Sequence, residues 1–317
     1  MLPPKPITYE SRFSQWYQRA TIRSRPRRIL NNELLQNKLC FSPELVPVSR
    51  HKIVKARGVA AYREILAYHL LAYLNFTDRL EHDVVNATVR RIATGQLPPL
   101  SFPKEMQIDA YKIYSDEAYH SLCSADMAQQ ILEATKLDNS IRFEFELLDY
   151  FDEIKNSYSG SSELRHLAEL FFVTVSEILI TSLLTKIPTD KRVVTAVRKL
   201  VADHAEDEGR HRNYFIKVND LVCPQLSKNQ LDVIGPLVPH FIIKFLSPDL
   251  TVVRNYLSRV LSSASEIEEV IAESYDPAEV FQNIRKTAAS TVRIFKNSGL
   301  LKNEATADAF ARAGLLD

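Results

Sequence analysis

Long proline-free spans with helical spacing decide the fold class. Between Ile53 and Thr94 there is no proline, and apolar residues return at three- and four-residue steps through Ile65, Leu66, Tyr68, Leu70, Tyr73 and Leu74. That is the repeat of one face of an α-helix. The spacing predicts a single long helix, ended near Gly95 and by Pro98 and Pro99. A second is predicted from about Lys104 to Thr135, entered after Pro103, and a shorter one over 141–156. Ser162 should cap a third long helix that stops before Pro188. Thr189 should cap a fourth, with Asp190 in its first turn, that runs to about Leu221 and stops near Pro224. Further helices are expected at about 226–246 (broken at Gly235 and Pro236), 249–273 and 276–297. Alternating β-branched strands joined by Asn-Gly or Asp-Gly turns are absent. The expected class is all-α in one domain, 1–317. An irregular, proline-rich arm covers 1–50, a four-helix bundle 51–221, and C-terminal helices over 222–317 cover the bundle.

Composition narrows the function. The 317 residues hold only 7 glycines, against the ~22 that an average usage of about 7% gives. No GxGxxG or GxxxxGK[ST] occurs, which disfavours the common nucleotide folds and leaves no flavin or nicotinamide fingerprint. The 40 Lys+Arg against 39 Asp+Glu leave a net charge of +1, so neither nucleic acid nor an anionic membrane is an expected partner. The run Arg23-Ser-Arg-Pro-Arg-Arg28 is expected as a solvated basic face rather than a phosphate-binding arm. Cys40, Cys123 and Cys223 are odd in number and far apart, which predicts reduced thiols in a cytoplasmic protein. The first residues, MLPPKPITYE, hold no apolar core of a secretory leader. The most apolar stretch, Ala168 to Ile187, carries Glu169, Glu177 and Lys186. A carboxylate at a bilayer centre costs at least ~2.5 kcal/mol, so a buried bundle helix is expected there instead of a membrane span.

Two of the predicted helices carry the chemistry. One contains Asp116-Glu117-Ala-Tyr-His120 and another Asp207-Glu208-Gly-Arg-His211. Positions i and i+3 share a helix face, so each motif aims a carboxylate and an imidazole the same way. Two such helices plus a Glu from each of two others are the ligand recipe of di-iron and di-manganese carboxylate bundles. Carboxylates bridge metals and change mode with oxidation state, while imidazole supplies a neutral donor. For the missing carboxylates, Glu81 is preferred over Glu64 on the first helix because it lies nearer the middle of the span that must meet Glu117. Glu177 is preferred over Glu169 on the third, because no other charge lies within a helical turn of it and an unpaired charge there would be costly. His204 adds a third residue to the fourth helix. At about 100° per step, His204, Glu208 and His211 fall inside a ~60° arc. The remaining histidines, His51, His69, His82, His166 and His240, are assigned no ligand role.

The paired motifs resemble the ferritin-like di-iron superfamily, and the extra helical histidine resembles the narrower family of p-aminobenzoate N-oxygenases, AurF and its relatives. The likeness covers roughly residues 55–220. It implies a non-haem di-iron N-oxygenase, in secondary metabolism, that uses dioxygen to oxidise an amine nitrogen to the hydroxylamine, nitroso or nitro level. Its iron ligands would be Glu81, Glu117, His120, Glu177, His204, Glu208 and His211. Glu117 and Glu208 would bridge, Glu81 and His120 would complete one iron, and Glu177, His204 and His211 the other. Asp116 and Asp207 would accept the histidine N–H groups across the site, with Arg210 paired to one of them. The resemblance further implies an external electron donor (a small reductase or a ferredoxin), a free or carrier-bound amine and a homodimer. Two other readings stay open: a di-iron C-hydroxylase or desaturase, in which His204 has no assigned part, and an iron store, for which the helices beyond Pro224 would be surplus. Pocket candidates are Phe241, Phe245, Tyr256, Arg259 and Tyr73.

Overall fold

The first long helix begins later than its periodicity predicts. A single turn at Lys52–Ala56 ends at Gly58, whose φ of 90° suits glycine and strains other residues. Beyond it α1 spans Val59–Arg79. The computed structural model describes residues 9–184 and 186–316, so the prolines at 3, 4 and 6 of the predicted arm lie outside the described residues. After α1 comes a six-residue π-helical turn, Leu80–Val85. α2 continues through Asn86–Thr94 and is closed by a left-handed Gly95. Turns of this kind inside helices are frequent at functional sites.

α3, Lys104–Thr135, and α4, Glu146–Ser157, lie close to prediction. α5 spans Ser162–Leu183, with the Ser161 side chain rather than Ser162 accepting from the Leu164 N–H. α6 spans Thr195–Val222 and does not start at Thr189. That residue ends a 3₁₀ turn, Ile187–Thr189, and Asp190 pairs with Ser42 and Arg192 instead. The true start is capped from a distance, because the backbone N–H and hydroxyl of Thr195 both donate to the Glu33 carboxylate. A cap supplied by another part of the chain leaves no local signature.

The C-terminal part holds α7 (Lys228–Ile234) and α8 (Leu237–Leu246), broken at Gly235 and Pro236 as predicted. The predicted helix over 249–273 is two, α9 (Leu250–Leu257) and α10 (Ala264–Ser274), each opened by its own cap, Asp249 and Ser263. α11 spans Pro277–Asn297. α12, Glu304–Arg312, was not predicted; Asn303, whose side chain accepts from the Thr306 N–H, was its available signal. Lys228–Leu257 is long and apolar enough by composition to cross a membrane. It is folded as α7, α8 and α9, of 7, 10 and 8 residues, each short of the ~20 a span needs.

α1 and α2 pack along α3, α5 packs along α6, and α3–α6 and α2–α5 contacts close the bundle. α4, α7, α8 and α11 lie against α5 from outside. Every residue from Leu167 to Ile180 is consequently buried, which is why this helix is apolar on all sides. Among the described residues there is no strand, only an isolated parallel bridge between Leu39 and Val193.

Candidate metal centre

Four elements converge inside the bundle. The π-turn brings Glu81, α3 brings Glu117 and His120, α5 brings Glu177, and α6 brings His204, Glu208 and His211; all are buried. The donor atoms of Glu81, His120, His204 and Glu208 lie within 4.8 Å of one another, and so do those of Glu117, Glu177, Glu208 and His211. Glu208 belongs to both groups. Glu117 also reaches both ways, with Oε2 3.2 Å from His120 Nδ1 and Oε1 2.7 Å from His211 Nδ1.

The grouping corrects one expectation. His204 does not join Glu177 and His211; its Nε2 lies 2.9 Å from Glu81 Oε1, and its ring sits 4.2 Å from that of His120. The angular argument that put the three α6 side chains on one face was sound but ignored rise. His204 and His211 are separated by about 10 Å along the axis, so they flank Glu208 from opposite ends and serve different groups.

Outer hydrogen bonds run crosswise. His120 of α3 sets its Nε2 3.1 Å from Asp207 of α6, and His211 of α6 sets its Nε2 3.2 Å from Asp116 of α3. Arg210 pairs with Asp207. These contacts turn the Nδ1 of both rings toward the carboxylates. The sequence reading missed the rest of this shell, which comes from the arm. Trp16 Nε1–H donates to both oxygens of Asp116, and the Thr21 hydroxyl donates to Asp207. The basic run is solvated, with Arg23, Arg25 and Arg27 exposed, but it is also ion-paired. Arg25 pairs with Asp203 and Glu206, Arg28 with Asp203, and Arg27 with Asp126, which strap the arm to α6 and α3.

Electrostatics test whether the residues fit a metal. Burial pushes Glu81 up to about 7 against the pull of His204. Glu177 is raised by burial and further by Glu208 and Glu117. Burial alone would raise Glu208 and Glu117, but His211 above all holds both below the usual carboxylate range. Burial alone would lower His204, yet Glu81 and Glu208 lift it to about 10. His211 is lifted well above its ordinary value by Glu117 and Glu208 in the same way. Oε2 of Glu81, Glu177 and Glu208 accepts no hydrogen bond, and Oε1 of Glu81 and of Glu117 meets only the imidazole of His204 and of His211, respectively. Four buried carboxylates with free lone pairs and three imidazoles suit two divalent cations, whose four charges balance the four carboxylates. The residues fit.

The competing carboxylates lie elsewhere. Glu169 is paired with Arg91, and Glu64 is half-buried on the cleft lined by Leu34 and Arg63. His51 pairs with Glu273, while His82 and His240 are exposed. His69 is more than a core residue. It lines a cavity of about 430 Å³ with Tyr73, Phe76, Phe145, Phe245 and Tyr256. Of the predicted pocket residues, Phe241 packs instead on Phe172 and Tyr150, and Arg259 pairs with Asp138 at the surface. Tyr73 also lines a narrow cleft beside His120 and His204, closed by Thr21, Arg25 and Arg28 of the arm.

A helical bundle that buries two Glu-x-x-His helices against a Glu from each of two others is of the ferritin-like class. Within it, the chain belongs to the P-aminobenzoate N-oxygenase AurF family, whose model matches residues 31–299, most of its length. That family consists of di-iron oxygenases. Comparison with the curated proteins gives no match.

Proposed function

We propose that the chain is a di-iron N-oxygenase acting on the nitrogen of an organic amine. Its family membership and the convergence of Glu81, Glu117, His120, Glu177, His204, Glu208 and His211 carry the reading. Glu81, His120 and His204 would hold one iron, Glu177 and His211 the other, with Glu117 and Glu208 between them. When bound, the iron pair supplies dioxygen activation. One oxygen atom enters the amine to give a hydroxylamine, and the other leaves as water with two electrons and two protons from an external donor.

The chain's own residues bind and orient the substrate. The cavity is apolar enough to desolvate an aromatic or acyl body, and Lys244 lies among its lining residues. It shares Pro47, Phe245, Ser247, Pro248 and Tyr275 with a broad surface basin that would admit a free or a tethered substrate. Tyr73 stands between cavity and cluster, its hydroxyl buried without a hydrogen-bond partner. Burial, helped by Glu81, raises that phenol well above its ordinary value, so it stays neutral and can donate to the incoming nitrogen. Burial pushes His69 down to about 4, which leaves a neutral imidazole whose unpartnered Nδ1 can accept a hydrogen bond from the amine N–H without taking the proton. The strapped arm excludes water from the cluster side.

The test is a panel of arylamines and free or carrier-bound amino acids, given with labelled dioxygen to reduced, iron-loaded protein. Mass spectrometry should find one labelled atom in each new N–O bond. Oxygen on carbon alone would establish the C-hydroxylase instead. His204→Ala should keep the bundle folded, since it removes one neutral donor. It should weaken iron at the Glu81 group while the Glu177 group still fills, giving two distinct affinities in an anaerobic titration. Unchanged binding of both irons would remove His204 from the ligand set.

A further inference from the structure

Trp16 is the chain's one tryptophan, and it precedes the residues that the family model matches. Its Nε1–H lies 2.9 and 2.8 Å from the two oxygens of Asp116. Asp116 Oδ2 lies 3.2 Å from Nε2 of His211, whose Nδ1 faces Glu117 and Glu208. Three hydrogen-bonded groups thus join the arm to the cluster. Asp116 and His211 are fully buried, Trp16 is 8% exposed, and its neighbour Tyr17 is 60% exposed. The Trp16 and Tyr17 rings meet edge to face at 5.3 Å. The ground around them is cationic. Arg23 lies 5.7 Å from the Tyr17 ring centre, and Lys112, itself paired with Asp109, lies 5.9 Å from it. Residues 9–28 hold six arginines and a single acid, Glu10; Arg25, Arg27 and Arg28 are paired with acids of α3 and α6, which leaves three for this surface. Arg12, Arg19 and Arg23 are exposed and form no ion pair among the described residues.

We propose that Trp16, Asp116 and His211 are the path by which electrons reach the di-iron centre, and that the cationic surface around Tyr17 docks an acidic iron–sulfur carrier protein of the ferredoxin class. The inference rests on the di-iron reading above. Electronic coupling falls off more slowly along covalent and hydrogen bonds than across gaps, and Trp16 begins the bonded route just beneath the surface, next to exposed Tyr17. Each of two reduced carriers gives one electron, one to each ferric ion, and leaves oxidised; no atom moves along the path. Opposite charge steers the encounter and makes it salt-dependent.

Anaerobic stopped-flow mixing of the ferric protein with a reduced plant-type [2Fe–2S] ferredoxin tests this, with iron content measured on the same samples. Trp16→Phe should still hold two irons and be reduced at least tenfold more slowly. Arg12→Glu/Arg19→Glu, which touches no ligand, should lose at least tenfold in second-order rate at low ionic strength, with the difference closing at high salt. A Trp16→Phe protein that holds two irons and is reduced within twofold of wild type overturns the path. Should that variant lose iron, the arginine pair decides, and an unchanged rate overturns the inference. Wild-type protein that takes up no iron overturns the di-iron reading too, whereas two irons with unchanged rates overturn this inference alone.

Discussion

Glu208→Ala should leave the protein with less than one iron per chain, where the wild type should take up two. Glu208 is the residue common to both donor groups, so its loss leaves each with three. It is also the carboxylate that His204 and His211 both approach, at 3.2 and 3.3 Å. Without it the metal-free chain keeps buried, raised-pKa imidazoles with one partner fewer. Breaking a buried pair in this way costs about 3–5 kcal/mol. Two losses should therefore appear together: N-oxygenation falling to background, and a clear drop in the urea midpoint of metal-free protein. Iron analysis after anaerobic loading checks the first link. A variant that still fills both positions would mean that Glu208 is not shared.

Glu177→Leu should split those effects, stabilising the metal-free chain while removing one iron. Glu177 sits in the helix that is buried on all sides, and its Oε2 accepts no hydrogen bond. Burial together with the nearby Glu208 and Glu117 charges raises its pKa, so without metal its charged form is penalised where it stands. Leucine has a similar volume and no desolvation penalty. Replacing poorly compensated buried polar groups by apolar ones of like size often gains about 1–4 kcal/mol. The metal-free melting temperature should rise by several degrees, while iron content falls to about one, retained by the Glu81 group. A lower melting temperature would show that Glu177 has a partner worth more than its burial costs.

The helices were legible because periodicity and punctuation are local. Pro103, Gly95, the Gly235–Pro236 pair and Pro277 mark ends that the structure keeps. The donor residues could be picked out for the same reason, since i, i+3 spacing and an isolated Glu in an apolar helix are visible without a fold. What stayed hidden was set by distant parts of the chain. The start of α6 depends on Glu33, and the orientation of Asp116 and Asp207 depends on Trp16 and Thr21. Those residues lie in a segment without periodicity, so nothing marked them. His204 was recognised but grouped wrongly, because angle is legible along a single helix while the axial meeting point of two helices is not.

The π-turn at Leu80–Val85 has a consequence for how such a centre can arise. A turn of this kind is what an α-helix makes of one additional residue, with both flanks left intact. Glu81 is the one carboxylate of the cluster that stands on it. Its entry into the bundle is therefore a matter of residue count and not of residue type. Removing one position from the turn would heal a continuous helix between α1 and α2 with both flanks in register, and only the residues of the turn itself would be re-aimed. The apolar seam against α3 would survive, but the aim of Glu81 would not. In a lineage of such bundles, a single inserted codon could bring this carboxylate inward, and a single deletion could take it away, without any substitution at the residue itself.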